Sequence, residues 1–230
     1  MRRLFARVLA IPAKRFDRAI VTHLSEAETD ALLGAPDRDT WTGRRDHALL
    51  ALALQTGLRT SELTSLKCEH IHLGQGPHAS AMGKGRKERC TPLTSPTVAV
   101  LETWLAERGG GPPDPVFPTS RGRALSPDAL EHRLAKHAAV ATHTAPALAS
   151  KKITMHVLRH TAAMRLLQAG ADISVIALWL GHESSETTQI YLHADLALKE
   201  QALARTTPPD SAPGRYRPPD ATLAFLQSLG

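Results

Sequence analysis

The stretch MHVLRHTAAMRLLQAG, residues 155–170, decides how the chain is read. Val157, Leu158, Ala162, Met164, Leu166 and Leu167 recur at helical spacing, so the segment is a helix with a core-facing side. His156, Arg159 and His160 crowd its first turns, with no acid nearby in sequence to neutralise them. His156 and Arg159, three apart, share a face and form a donor pair suited to an anion such as a phosphate oxygen. His156 and His160, four apart, have a spacing that can hold a metal. The zinc-protease pattern, however, needs Glu where Val157 stands, and Arg159 repels a cation, so no metal is expected here.

Working outward, Gly170 ends this helix, and DISVIALWLGH, residues 172–182, gives a short apolar helix stopped by Gly181. A longer helix follows in SSETTQIYLHADLALKEQALA. The Pro-rich tail after it leads to a last small helix, ATLAFLQSL, whose Leu223, Phe225, Leu226 and Leu229 must bury on this chain or on a neighbour. Upstream, Ser25 and Glu28 make a capping box. TGRRDHALLALALQTG is an apolar helix closed by Gly57, and LRTSELTSLK is a second, shorter one. EHIHL, HASAM and RCTPL, separated by GQGP and GKGRKE, read as a small antiparallel sheet. Ser95 with Pro96 and Ser126 with Pro127 start two further helices. The expected fold is mainly α with a small three-stranded antiparallel β-sheet.

The bulk numbers are compatible with this. A chain of 230 residues can bury a substantial core. It has 28 Lys and Arg against 22 Asp and Glu, a formal charge of +6, and a sequence pI of about 9.7. That balance suits a polyanion such as nucleic acid, or a membrane surface. A soluble protein that is merely basic fits too. Cys68 and Cys90 form no CxxC pair, which excludes a zinc ribbon and points to a reducing cytoplasm. No run of about 18 apolar residues provides a spanning helix. Arg7 interrupts the apolar N-terminal stretch, which argues against a targeting peptide.

Three further stretches carry chemistry-bearing residues. In TGLRTSEL, residues 56–63, Arg59 follows a glycine break beside a helix start, where backbone N–H groups favour anions. The plainer reading is a surface arginine paired with Glu62. GKGRKERC, residues 83–90, sets Lys84, Arg86, Lys87 and Arg89 on a hairpin that suits a nucleic-acid groove or backbone. It lacks P-loop spacing, and a solvated turn is the other reading. In LWLGHESSETTQIYLH, His182 follows the Gly181 stop, and Tyr191 is one of only two tyrosines. Tyr191 reads equally as a half-buried aromatic, and the helix–Gly–helix shape also fits a helix-turn-helix DNA reader without chemistry.

Taken together, Arg59, Lys84, His156-x-x-Arg159, His182 and Tyr191, set within TGLRTSEL, HVLRHTAA and LGHESSETTQIYLH, closely resemble the catalytic domain of the tyrosine recombinase (phage integrase) family, Xer-like members included. The resemblance covers about residues 20–205. It implies the tyrosine recombinase catalytic-domain fold. It also implies cutting and rejoining of double-stranded DNA through a 3′-phosphotyrosyl intermediate, as in type IB topoisomerases, with no cofactor. By that resemblance, Tyr191 is the nucleophile and Arg59 and Arg159 grip the non-bridging oxygens. Lys84 protonates the leaving 5′-oxygen, with Lys87 its rival. His156 and His182 stabilise the phosphoryl group and assist proton transfer. Glu62 and His160 support these groups, while Arg86, Lys87, Arg89, Lys151 and Lys152 contact DNA.

The family usually has an N-terminal helical clamp. The expected division is therefore a linker remnant of a missing core-binding domain at 1–20, a catalytic domain at 21–205, and a Pro-rich tail with a short helix at 206–230. The resemblance further implies a monomer alone and a tetramer on paired sites, with the C-terminal segment exchanged between protomers, and no membrane.

Overall fold

In the computed structural model of the chain, the segment 155–170 is helical from Met155 to Gln168, and it packs against the buried helix Trp41–Thr56. The structure describes residues 22–82 and 88–181, and Glu88 by its backbone alone. The chain divides into two units, Met1–Ala194 and Asp195–Gly230, and every described residue lies in the first.

Seven α-helices are described: α1 (Glu26–Gly34), α2 (Trp41–Thr56), α3 (Thr60–Thr64), α4 (Ser95–Arg108), α5 (Pro127–Ala141), α6 (Met155–Gln168) and α7 (Ile173–Leu180). Three strands, β1 (Ile71–His72), β2 (His78–Met82) and β3 (Glu88–Pro92), form one antiparallel sheet in the order β1-β2-β3. Ile71 faces Ala79 across the first pair, and Ser80 faces Cys90 across the second. The architecture is the mostly helical one with a small sheet that the sequence implies.

The helix starts follow their caps. Ser25 and Glu28 form the expected capping box on α1. Ser126 caps α5 with Pro127 at its first position. Thr154 caps α6. At α4 the structure differs by one residue: Thr94 is the cap and Ser95 the first helical residue, because the Thr94 backbone is held by Gln55 of α2. Helix α3 is shorter than LRTSELTSLK suggests. The hydroxyls of Thr64 and Ser65 both turn back to the Ser61 carbonyl, a local bond that competes with helix continuation. Leu66 then accepts from the Val116 N–H instead of extending the helix.

Ala48, Leu49, Leu50, Leu52, Ala53 and Leu54 are all buried, so α2 is covered nearly all round. Helices α1, α4 and α6 provide that cover. The helix ends at Gly57, in the left-handed conformation at φ 63°. A Cβ there would lie 2.7 Å from Leu180 Cδ2 and 3.2 Å from Ala162 Cβ. The glycine thus serves both the backbone turn and the close approach of α6 and α7. That approach is what assembles the site.

Candidate active site

Helix α6 delivers Arg159 into the gap between the end of α2 and the end of α7. Its Nη1 donates to the Gly57 carbonyl and its Nη2 to the Leu180 carbonyl, both at 2.6 Å. The residue is only 5% exposed. Buried cations need such partners, and carbonyls at helix C-termini supply them without cancelling the charge. Arg59 reaches the same place from the start of α3. Its Nη2 donates to the Gly181 carbonyl at 2.9 Å. The two guanidinium groups therefore meet on consecutive carbonyls, Leu180 and Gly181. The polar cluster on a core-facing helix has its explanation here: Arg159 is an anchored cation, not a misplaced surface residue.

Glu62, one turn into α3, fixes Arg59. One of its oxygens accepts the Arg59 backbone N–H at 2.7 Å and the other its Nη1 at 3.1 Å. Arg89 of β3 adds two more bonds, Nη1 to Oε1 at 2.7 Å and Nη2 to Oε2 at 2.8 Å. Burial by itself pushes the Glu62 carboxyl up. The hydrogen bonds from Arg89 and from the Arg59 backbone, with the charges of both arginines, outweigh it and hold the group below the ordinary glutamate value. Glu62 is thus a fixed anion that neutralises one of the two cations it touches. The remaining positive charge sits toward Arg59, whose side chain is 38% exposed.

His156 and His160 lie one turn apart on α6, their rings edge to face with centroids 4.1 Å apart. His156 is exposed and His160 half-buried. Among the described residues no group of three or more His, Cys, Asp or Glu could hold a metal ion.

Two of the residues expected to contact DNA make bonds within the protein. Arg89 turns inward onto Glu62, because a buried carboxylate attracts its fork more strongly than solvent does. Lys151 donates to Glu28 at 2.6 Å and to the His23 carbonyl at 3.1 Å, and so ties α1 to the segment before α6. Lys152 is exposed. Lys84, Arg86, Lys87, His182 and Tyr191 lie outside the described residues, as do the 1–20 segment and the C-terminal segment. The sequence reading did not anticipate the carbonyls of Gly57, Leu180 and Gly181 as anchors. The only sequence signal for them is a glycine stop at the end of each apolar helix.

The helical scaffold thus brings two arginines onto adjacent helix-end carbonyls, Arg59 being braced by the Glu62 carboxylate. The sequence profile of the phage integrase family matches residues 22–197, and the chain belongs to that family, the tyrosine recombinases. A Sinorhizobium fredii protein named as an integrase/recombinase, y4rC, is 56% identical over 97% of this chain and 67% of its own length. Tyrosine recombinase XerD of Pseudomonas aeruginosa is 38% identical over 87% of this chain and 66% of its own. The crystal structure of XerA recombinase superimposes with a TM-score of 0.69 at 30% identity, covering 82% of this chain and 66% of that one. The chain thus spans about two thirds of the length of these relatives, and 56% of the Vibrio cholerae XerD that it matches. No described helix is long and apolar enough to cross a membrane.

Proposed function

We propose that the chain is the catalytic part of a site-specific recombinase that cleaves and rejoins double-stranded DNA, acting in the cytoplasm. The observation that carries this reading is the meeting of Arg59 and Arg159 on the Leu180 and Gly181 carbonyls. The chain then continues directly into the segment that contains His182 and Tyr191. In this reading the Tyr191 hydroxyl passes its proton to one of the two histidines, His156 or His182, as its oxygen attacks the phosphorus of one linkage, and the bond to the 5′-oxygen breaks. A 3′-phosphotyrosyl bond forms, and Lys84 gives its proton to the departing 5′-oxygen. Rejoining runs the same steps backward from a 5′-hydroxyl. Arg59 and Arg159 neutralise the charge that gathers on the non-bridging oxygens, a contribution of several kcal/mol from fixed donors. In this reading His156, exposed on α6, and His182 stabilise the same phosphoryl group, and His160 steadies the His156 ring. Arg86, Lys87 and Lys152 meet the DNA backbone.

The test begins with a pool of nicked duplexes of randomised sequence. Wild-type protein is expected to trap a fraction of them as complexes that survive detergent, and Tyr191→Phe is expected to trap none. Arg159→Ala should slow trapping by about 10²–10³-fold, the cost of losing one fixed donor to transition-state charge. Trapping by Tyr191→Phe equal to wild type overturns the reading. Binding without any covalent product favours the helix-turn-helix alternative.

The same reading makes the working assembly a tetramer on paired sites, with segment 206–230 lent to a neighbouring protomer through Leu223, Phe225, Leu226 and Leu229. Deleting 207–230 should then reduce assembly on DNA more than cleavage of a single site. A deletion that unfolds the protein shows instead that the segment packs on its own chain.

A further inference from the structure

Arg89 begins the described side chains of β3, in the hairpin whose basic residues suit DNA. Its geometry gives it another task. Its side chain is 11% exposed and Glu62's is 4% exposed, and both terminal nitrogens of Arg89 are committed to the two oxygens of that carboxylate. Those same oxygens take the backbone N–H and Nη1 of Arg59. On its other side Arg89 lies against Gly181: a Cβ added there would sit 2.6 Å from its Nη1 and 3.2 Å from its Cδ. The Gly181 carbonyl in turn accepts from Arg59. Arg89, Glu62, Arg59 and Gly181 therefore form a closed ring of contacts, joining β3, α3 and the end of α7.

The ring has a consequence for Arg59. A buried carboxylate facing one guanidinium alone takes it in a two-pronged pair, which is the strongest geometry open to it. Arg59 would then turn its donors toward Glu62 and away from a phosphate. With Arg89 occupying both oxygens as a planar fork, Glu62 takes only one side-chain nitrogen of Arg59, and the other stays on Gly181.

We propose that Arg89 is a positioning residue for DNA cleavage. It saturates Glu62 and packs against Gly181, so that Arg59 is held facing the phosphate while Arg89 itself touches no DNA. The proposal rests on the recombinase reading above.

The full chain and one nicked duplex recovered from the randomised pool provide the test. Single-turnover cleavage at saturating DNA is measured for Arg89→Ala, Arg89→Lys, Glu62→Gln and the Arg89→Ala/Glu62→Gln pair. The Kd for the same duplex is measured with each change placed on Tyr191→Phe. Arg89→Ala should slow cleavage about 10²-fold, the scale of an ångström-sized misplacement, with Kd within about twofold and the salt slope unchanged. Arg89→Lys should recover only part of the rate, because an ammonium cannot span both oxygens. The double variant should be no slower than the slower single, since both act through one contact.

An unchanged rate with weaker binding and a salt slope reduced by about one identifies Arg89 as a DNA contact and overturns the proposal. Fully additive losses overturn it too. If Arg89→Ala does not fold, Arg89→Lys and Glu62→Gln, which keep the side-chain volume, decide by the same criteria. A wild-type protein that traps no duplex removes the recombinase reading itself, and this proposal with it.

Discussion

Asp46 shows what a single buried charge demands of its surroundings. It lies on α2, next in sequence to Arg45, and both are almost wholly buried. Asp46 Oδ1 accepts Nε and Nη2 of Arg45 at 2.9 and 2.7 Å. Its Oδ2 accepts Arg133 Nη1 at 3.1 Å and His137 Nε2 at 2.9 Å. Arg45 also donates to the Pro118 carbonyl at 2.8 Å and lies over the Trp41 ring at 5.5 Å. Removing the anion strands a buried guanidinium, so Asp46→Ala should cost about 3–5 kcal/mol. The Arg133 side chain is 34% exposed, so Arg133→Ala should cost no more than about 1 kcal/mol. Urea unfolding of the two variants measures both; equal losses would mean that Asp46 is not the centre of the cluster. At this scale the sequence is least legible. RRDH at 44–47 looks like any solvated charge run, and His137 lies 91 positions away. Likewise Arg89 reads as a hairpin cation until Glu62 is seen beside it, since a basic residue looks the same whether it faces DNA or a buried carboxylate.

Elements were more legible, because their signals are local. Ser25 with Glu28, Ser126 with Pro127, and the glycines at 57 and 181 each act within a few residues, and the structure uses all of them at helix ends. Where a distant partner intervenes, the local signal shifts: Gln55 moves the cap of α4 to Thr94, and Val116 cuts α3 short. Gly57 is the element-scale feature on which the site depends most. Its φ of 63° costs a side chain about 1–2 kcal/mol, before any clash with Leu180 Cδ2, 2.7 Å from an added Cβ. Gly57→Ala should therefore lower stability by at least about 1 kcal/mol, visible as a lower urea midpoint at unchanged m-value. Because the Gly57 carbonyl anchors Arg159 and Leu180 anchors its other nitrogen, DNA trapping should fall further than folding alone explains under conditions where the variant is fully folded. A variant as stable and as active as wild type would show that neither the turn nor the close approach matters.

Across the whole molecule, buried carboxylates join elements that are far apart in the chain. Glu28 ties α1 to Lys151, Asp46 ties α2 to α5, and Glu62 ties α3 to β3. None of these cross-links is visible in periodicity or capping, which explains why the order of elements was legible but their convergence was not. In each, burial pushes the carboxyl up, but hydrogen bonds and nearby cations outweigh it, so the folded state holds the group below its ordinary value. The native state therefore binds fewer protons than the unfolded chain in the acid range. The stability from these groups is complete above the unfolded carboxylate values near pH 4, and it is lost as pH falls through the lower folded values. Stability should fall steeply below about pH 4–5, and Glu62→Gln should soften that fall. The variant starts less stable near neutrality. Its curve should then approach the wild-type curve on acidification, the slopes differing by up to about 1.4 kcal/mol per pH unit for the one proton removed. Urea unfolding at intervals from pH 7 to pH 3 measures both curves. Parallel curves would mean that Glu62 titrates alike in the folded and unfolded states, and that the four hydrogen bonds it accepts do not hold it as a fixed anion.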